Sequence, residues 1–120
     1  MTIQTGMLGV QAEKLANKYL QRKGLRLIEK NFHCRFGEID LIMQDKNNSS
    51  LVFVEVRYRR SSKYGGAIAS VGYHKQQKLR RSAESYLIKH KVTDSACRFD
   101  ILCINGNLNN PEIEWISNAF

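Results

Sequence analysis

The chain has 120 residues, of which 42% are apolar and 25% charged, with a single proline. This composition fits one globular domain that can build a core without disulfides, and it excludes a disordered chain; no run approaches the ~20 apolar residues that span a bilayer. Nineteen Lys and Arg residues against eleven Asp and Glu residues leave a net charge of +8, which favours a polyanionic partner, nucleic acid ahead of an acidic membrane surface.

The first predicted elements are a helix and two strands. Apolar residues recur at three- and four-residue spacing over residues 7–23, which predicts an amphipathic helix, and Gly24 is a natural stop for it. Strands are predicted over residues 25–30 and 36–43. The polar residues 44–50 form the turn into a third strand.

The third strand carries the most informative residues of the chain. Its first four residues, 51–54, are all apolar, which is typical of a central strand covered on both faces. Glu55 follows, and a carboxylate in such a strand is costly to bury unless a cation compensates it. Arg57 points to the same face because side chains alternate along a strand. We therefore expect a functional site at Glu55.

The remaining elements complete a mixed α/β fold. A basic loop is predicted over residues 57–66, a helix over 73–90, and strands over 98–104 and 113–116. The first three strands can form an antiparallel meander, and the second helix is long enough to cross over to a parallel fourth strand. The expected architecture is a single domain over residues 1–120, a mixed central sheet flanked by helices in α-β-β-β-α-β order.

Acidic residues of the second and third strands predict a metal site. Glu38 and Asp40 share one face, and a hairpin between the two strands would place Asp40 a few ångströms from Glu55. Two carboxylates so close repel unless a cation bridges them, and a hard ion such as Mg²⁺ takes oxygen ligands and engages substrate phosphates. Glu13 could add a third acid from the first helix.

Two alternatives remain open for these acids. Glu13 on position alone is better explained as a solvated helix residue. Glu38 and Asp40 would equally fit an edge-strand face paired with lysines. Glu55 is the hardest of the acids to explain structurally, because apolar residues precede it.

Basic residues cluster after the third strand and along the second helix. The nucleic-acid-binding candidates are Arg57, Arg59, Arg60, Lys63, Lys75, Lys78 and Arg81. The alternative is a solvated basic surface, but phosphate contact would also explain why the cluster starts beside Glu55. Aromatic residues near these charges are few, so base stacking is a weaker idea. None of these residues forms a motif that recognises base sequence, which favours binding that is selective for the structure of the nucleic acid.

Cysteine and histidine residues point to no further chemistry. Cys34, Cys97 and Cys103 are odd in number and lack metal-type spacing. The three histidines have no partner at zinc-binding spacing. We expect a reduced, cytoplasmic protein without a signal peptide or membrane association.

The motifs together resemble the YraN family of bacterial proteins. The resemblance rests on Gly9, Glu13, Ala16, Tyr19, Leu20, Asn31, the GEIDLI segment 37–42, the FVEVR segment 53–57, Lys75 and the RFD segment 98–100. It covers nearly the whole chain. The YraN family is in turn similar to the PD-(D/E)xK restriction-endonuclease-like nucleases, archaeal Holliday-junction resolvases in particular.

This resemblance implies a restriction-endonuclease-like fold and a nuclease-type site. Glu13 would correspond to the helix acid, Asp40 to the motif Asp and Glu55 to the second motif acid, together holding Mg²⁺ or Mn²⁺. The motif Lys, expected two residues after Glu55, is Arg57, which stays protonated and cannot act as a base. Resolvase-like relatives act as symmetric pairs, which suggests a homodimer.

Three functions follow as hypotheses. The leading one is a metal-dependent nuclease-like protein acting on DNA, including branched or repair intermediates, with Glu13, Asp40 and Glu55 as ligands and Arg57 on phosphate. The alternative is a non-catalytic nucleic-acid-binding protein on the same fold, its activity weakened by Arg57. The third is an interaction protein of a DNA-processing complex, in which the acids only cap the sheet.

Overall fold

The fold consists of two helices and five strands. A computed structural model describes residues 2–60 and 66–120. The elements in chain order are α1 (Thr2–Arg22), β1 (Leu25–Cys34), β2 (Gly37–Asp45), β3 (Leu51–Arg59), α2 (Tyr73–Lys89), β4 (Cys97–Asn105) and β5 (Glu112–Ile116). One 3₁₀ turn, Ile68–Ser70, precedes α2.

The five strands form one mixed sheet in the order β1-β2-β3-β4-β5. The pairs β1–β2, β2–β3 and β4–β5 are antiparallel, whereas β3 and β4 are parallel. A parallel connection needs a crossover, and α2 supplies it. The predicted element order, meander and crossover are therefore confirmed, as is the mixed α/β class.

Each helix covers one face of the sheet. Helix α1 packs Ala12, Ala16 and Leu20 on one face, against Leu41 and Val54 among others. Helix α2 packs Leu79, Ala83 and Tyr86 on the opposite face, where the strands contribute Ile42, Phe53 and Ile101. Strand β3 is buried on both faces from Leu51 to Glu55, as its apolar run predicts.

Strand lengths depart from the sequence prediction. Strand β1 continues four residues past the predicted end, and its pairing with β2 shifts register between Leu27 and Glu29, inside the predicted strand. Strand β3 continues to Arg59, so Arg57 and Arg59 lie on a strand and not in the predicted loop. Pairing with β4 sustains the strand, since Arg57 pairs with Cys103 and Arg59 with Asn105.

The C-terminal part of the chain is anchored on Asp100, which is fully buried. Its carboxylate accepts hydrogen bonds from Arg98 Nε at 3.0 Å, Trp115 Nε1 at 3.0 Å and the Asn118 backbone N–H at 2.9 Å. A buried carboxylate with this many donors is satisfied. Asp100 and Trp115 thus hold β5 to the sheet.

Within residues 2–60 and 66–120, neither helix combines the length and the apolar character that crossing a membrane requires.

Candidate functional site

Asp40 and Glu55 meet on neighbouring strands. Leu41 of β2 pairs with Val54 of β3, so continuing the antiparallel register by one step places Asp40 opposite Glu55. The Val56 backbone N–H donates to Asp40 Oδ2 at 2.8 Å, which fixes the carboxylate beside β3. Glu55 is only 5% exposed. The predicted acid pair therefore exists.

The two carboxyl groups are close enough for each to change the pKa of the other. Burial, and then the charge of Asp40, raises the pKa of Glu55 from 4.5 to about 7. Burial also raises the pKa of Asp40, against the stabilising effect of the Val56 N–H and of Lys75. At neutral pH the pair is thus poised between one and two negative charges.

Two cations contact the buried acid. Arg57 Nη1 lies 3.5 Å from Glu55 Oε2, and Lys75 Nζ lies 3.7 Å from the same oxygen. Both lower the pKa of Glu55, although burial and Asp40 outweigh them. Lys75 comes from the first turn of α2. The structure therefore places a lysine at the acid pair, even though the strand position two residues after Glu55 holds Arg57.

Glu13 is not part of this pair. It lies on α1, which packs on one face of the sheet, whereas Glu55 shares the opposite face with Phe53 and contacts Lys75 of α2. Burial, and then the charge of Asp40, raises the pKa of the Glu13 carboxyl. Glu13 is therefore near enough to sense Asp40 but separate from the Asp40–Glu55 contact.

Asn31 holds Glu13 in place. With its amide nitrogen facing α1, Asn31 Nδ2 donates to the two Glu13 oxygens at 3.0 and 3.3 Å. Asn31 has a φ of 54°, a left-handed conformation that asparagine tolerates better than most residues. Glu13 is thus half-buried and hydrogen-bonded, which differs from the solvated residue that its position alone favours.

The donor set suits a hard divalent ion held by two carboxylates. Across the two described ranges, no group of three His, Cys, Asp or Glu side chains lies close enough to hold an ion. Mg²⁺ commonly binds through one or two carboxylates and completes its shell with water and substrate phosphates. Asp40 and Glu55 meet that requirement, and their mutual repulsion is what a cation would relieve.

Glu38 lies outside the pair. Its side chain is 54% exposed and pairs with His33 Nδ1 at 3.2 Å. The alternative of an edge-strand face paired with lysines fits neither acid, because β2 lies between β1 and β3 and Glu38 pairs with a histidine.

The residues of the predicted basic surface lie in several separate parts of the structure. Arg59 is engaged by the sheet, with Nε donating to Asn105 at 2.9 Å and Nη2 lying 3.3 Å from Glu114. Arg60 faces a different cavity of about 610 Å³, which Tyr58 also lines. Lys63 lies outside the described residues.

Lys78 and Arg81 line a cavity with Arg35 and Phe36 of the β1–β2 turn. Sequence reasoning gave these two turn residues no role, because only the folded hairpin brings them to α2. In the sequence, only the family resemblance singles out Asn31. The residues next to Asn31 in the sequence predict neither its left-handed conformation nor its hydrogen bond to Glu13.

Comparison with known proteins identifies the family. The profile of "Uncharacterised protein family UPF0102" matches residues 12–104. A UPF0102 protein of Nitrosomonas europaea is 52% identical over 115 residues, covering 96% of this chain and 94% of its own. A UPF0102 protein of Methylococcus capsulatus is 48% identical over 113 residues, covering 94% of this chain and 89% of its own. The chain belongs to the YraN-like family UPF0102.

Proposed function

We propose that this protein is a metal-dependent nuclease of restriction-endonuclease-like fold that acts on DNA, including branched or repair intermediates. Asp40 and Glu55 are the metal ligands, and Glu13 is an outer acid whose charge favours a cation at Asp40. Arg57 and Lys75 face the substrate phosphate. We further propose that the protein acts in the cytoplasm, as a monomer or a homodimer.

One observation carries this proposal. Glu55 is buried beside a second, part-buried carboxylate, Asp40, and two cations contact Glu55. Such a pair weakens the fold, because burial and mutual repulsion both oppose ionisation. Strongly perturbed carboxyls with specific charge partners are typical of functional sites.

The residues divide the chemistry between them. A bound Mg²⁺ or Mn²⁺ would polarise the scissile phosphodiester and lower the pKa of an attacking water. The Val56 N–H orients the Asp40 carboxylate toward Glu55. Glu55 would lose its proton on metal binding, because a cation held by the two carboxylates would supply the neutralisation that the proton provides.

Lys75 takes the role that the sequence motif assigns to a lysine on the strand. Its ammonium is a compact charge that can approach a phosphate oxygen beside Glu55 and stabilise the charge developing in the transition state. Arg57, planar and always protonated, holds a phosphate through paired N–H groups. Lys75→Ala should therefore lower kcat more than it raises KM, whereas Arg57→Ala should mainly raise KM.

A second candidate is DNA binding without cleavage. The observation that favours it is that the described residues gather only two acids, with Glu13 committed to Asn31. The basic groups along β3 and α2 would serve either function.

The test is cleavage of labelled linear and four-way branched DNA by the full chain with Mn²⁺. We expect cleavage by the wild type and by Ile88→Ala, a control on an exposed position of α2. Asp40→Asn and Glu55→Gln should each lower the rate about 100-fold or more, since loss of a metal ligand costs at least as much as loss of its supporting groups.

Metal binding supplies a second readout. Mn²⁺ should raise the melting temperature of the wild type more at pH 8 than at pH 6, because metal binding requires Glu55 to be deprotonated. Asp40→Asn should remove this effect. DNA binding without cleavage, and with no thermal response to Mn²⁺, would favour the second candidate. Cleavage that survives the Asp40→Ala, Glu55→Ala double substitution would come from a contaminant.

A further inference from the structure

The turn between β1 and β2 forms a groove with helix α2. Cys34 pairs with Gly37, so Arg35 and Phe36 are the two residues of a tight hairpin turn. Gly37 has a φ of 146°, and a Cβ built there would lie 3.6 Å from Ser82 Oγ and 3.9 Å from Lys78 Cβ. The hairpin therefore packs closely on α2, which fixes the turn residues relative to the helix.

The cavity between them measures about 500 Å³. Its walls are Arg35 and Phe36 of the turn and Tyr73, His74, Lys78 and Arg81 of α2; we call it the hairpin groove. None of the described residues that line it is acidic. The volume falls in the range of about 300–1,000 Å³ that is usual for small-ligand sites. Three permanent cations and no anion make the groove a receptor for phosphate groups.

The groove also presents aromatic surfaces. Tyr73 is 70% exposed, so its ring contributes little to the core. Its centroid lies 5.9 Å from that of His74. On the opposite wall the Arg35 guanidinium carbon lies 4.7 Å from the centre of the Phe36 ring. Aromatic rings and planar guanidinium groups are the surfaces on which unpaired bases stack.

The hairpin groove adjoins the acid pair. Lys75 contacts Glu55, and Lys78 is three residues further along the same helix, so the two side chains are neighbours on one helical face. A nucleic-acid strand with a phosphate at Lys75 would continue directly into the groove. The aromatic rings then lie where the next unpaired base would reach.

We propose that the hairpin groove binds an unpaired nucleotide next to the acid pair, with the base stacked on Tyr73 or Phe36 and its phosphates on Arg35, Lys78 and Arg81. This inference rests on the proposed function in that the strand is a nucleic acid, and it adds the substrate class. The protein selects junctions, flaps or tailed duplexes in which one strand leaves the double helix.

The test measures equilibrium binding of the full chain by fluorescence anisotropy in EDTA, where no cleavage occurs. Three labelled DNAs share one duplex: the first is blunt, the second has a single-stranded tail, and the third has an abasic tail of the same length. We expect wild type to bind the base-containing tail about 5- to 100-fold more tightly than the abasic tail, the range that stacking of one base supports.

Variants locate the effect. Tyr73→Ala should reduce or remove the preference for the base-containing tail, and Tyr73→Phe should retain it because the ring remains. The Phe36→Ala variant tests the other wall, and Ile88→Ala is the control for an exposed apolar side chain on α2. Equal binding of the two tails by wild type overturns the inference, as does a preference that survives Tyr73→Ala and Phe36→Ala together.

Cleavage of all three DNAs is measured in parallel with Mn²⁺. Cleavage without a preference for the base-containing tail would overturn the inference and leave the proposed nuclease intact. A ring-dependent preference without cleavage would support the groove and contradict the nuclease. If wild type binds none of the three DNAs, the inference is overturned.

Discussion

Glu55 combines burial, a like-charged neighbour and two cations around one carboxyl group. It is 5% exposed, and the charge of Asp40 raises its pKa. Lys75 and Arg57 offset part of the penalty of ionisation, yet the pKa of Glu55 still stands at about 7. Each cation alone would fit an ordinary ion pair. The second carboxylate is what turns a structural arrangement into a candidate site.

The stability of the metal-free protein should decrease as the pH rises from about 4.5 to about 7. The folded state holds the Glu55 proton more tightly than the unfolded chain does, so folding takes up a proton in this window. The raised pKa of Asp40 acts in the same direction. The largest contribution from Glu55 is about 3 kcal/mol by linkage.

Glu55→Gln removes this dependence. The variant should be more stable than wild type at pH 8 by about 1–3 kcal/mol, because a neutral amide replaces a buried carboxylate beside Asp40. Urea unfolding at pH 5 and pH 8, without divalent ions, measures both effects. Parallel pH profiles for wild type and Glu55→Gln would contradict the assignment of the shifted pKa to this residue.

Individual elements position the site in different ways. The antiparallel register of the β2–β3 hairpin places Asp40 opposite Glu55. Lys75 lies in the first turn of α2 and contacts Glu55. Helix α1 carries Glu13, which pairs with Asn31 of β1. Strand β5 has no role at the acids, but it closes the sheet beyond β4 through the hydrogen bonds of Asp100.

Asp100→Ala should destabilise the fold by about 3–5 kcal/mol, because it leaves Arg98 half-paired and deprives the part-buried N–H groups of Trp115 and Asn118 of their acceptor. Urea unfolding measures the loss. Asp94→Ala removes the same charge from an exposed position and should change stability by no more than about 0.5 kcal/mol. Similar losses in the two variants would show that the Asp100 hydrogen bonds contribute no net stability.

The net charge of +8 is unevenly distributed over the molecule. Arg57, Lys75, Lys78 and Arg81 follow one path from the acid pair into the hairpin groove. Arg59 is held by β4 and β5, and Arg80 lies over the rings of Phe99 and Phe120 at 5.4 and 5.3 Å. Therefore only some of the basic residues lie along a line that one nucleic-acid strand could follow.

DNA affinity should fall with salt at a slope near −4.5 in log K against log salt, the value for about five phosphate contacts, those proposed for Arg35, Arg57, Lys75, Lys78 and Arg81. Lys78→Ala should reduce the magnitude of the slope by about 1. Arg80→Ala removes the same charge from another side of α2 and should leave the slope unchanged. A titration of binding from about 50 to 200 mM salt checks both variants. Equal slopes for Lys78→Ala and wild type would place the DNA elsewhere.

The sequence by itself determined the element order, the mixed sheet, the double burial of β3 and the pairing of Asp40 with Glu55. These follow from periodicity and from a short hairpin connection, which are local signals. Tertiary structure alone decided that Lys75 reaches Glu55, that Asn31 binds Glu13 and that Phe36 and Tyr73 line one groove. The reason is physical: such contacts join side chains distant along the chain, and their distances depend on how each helix packs on its own face of the sheet.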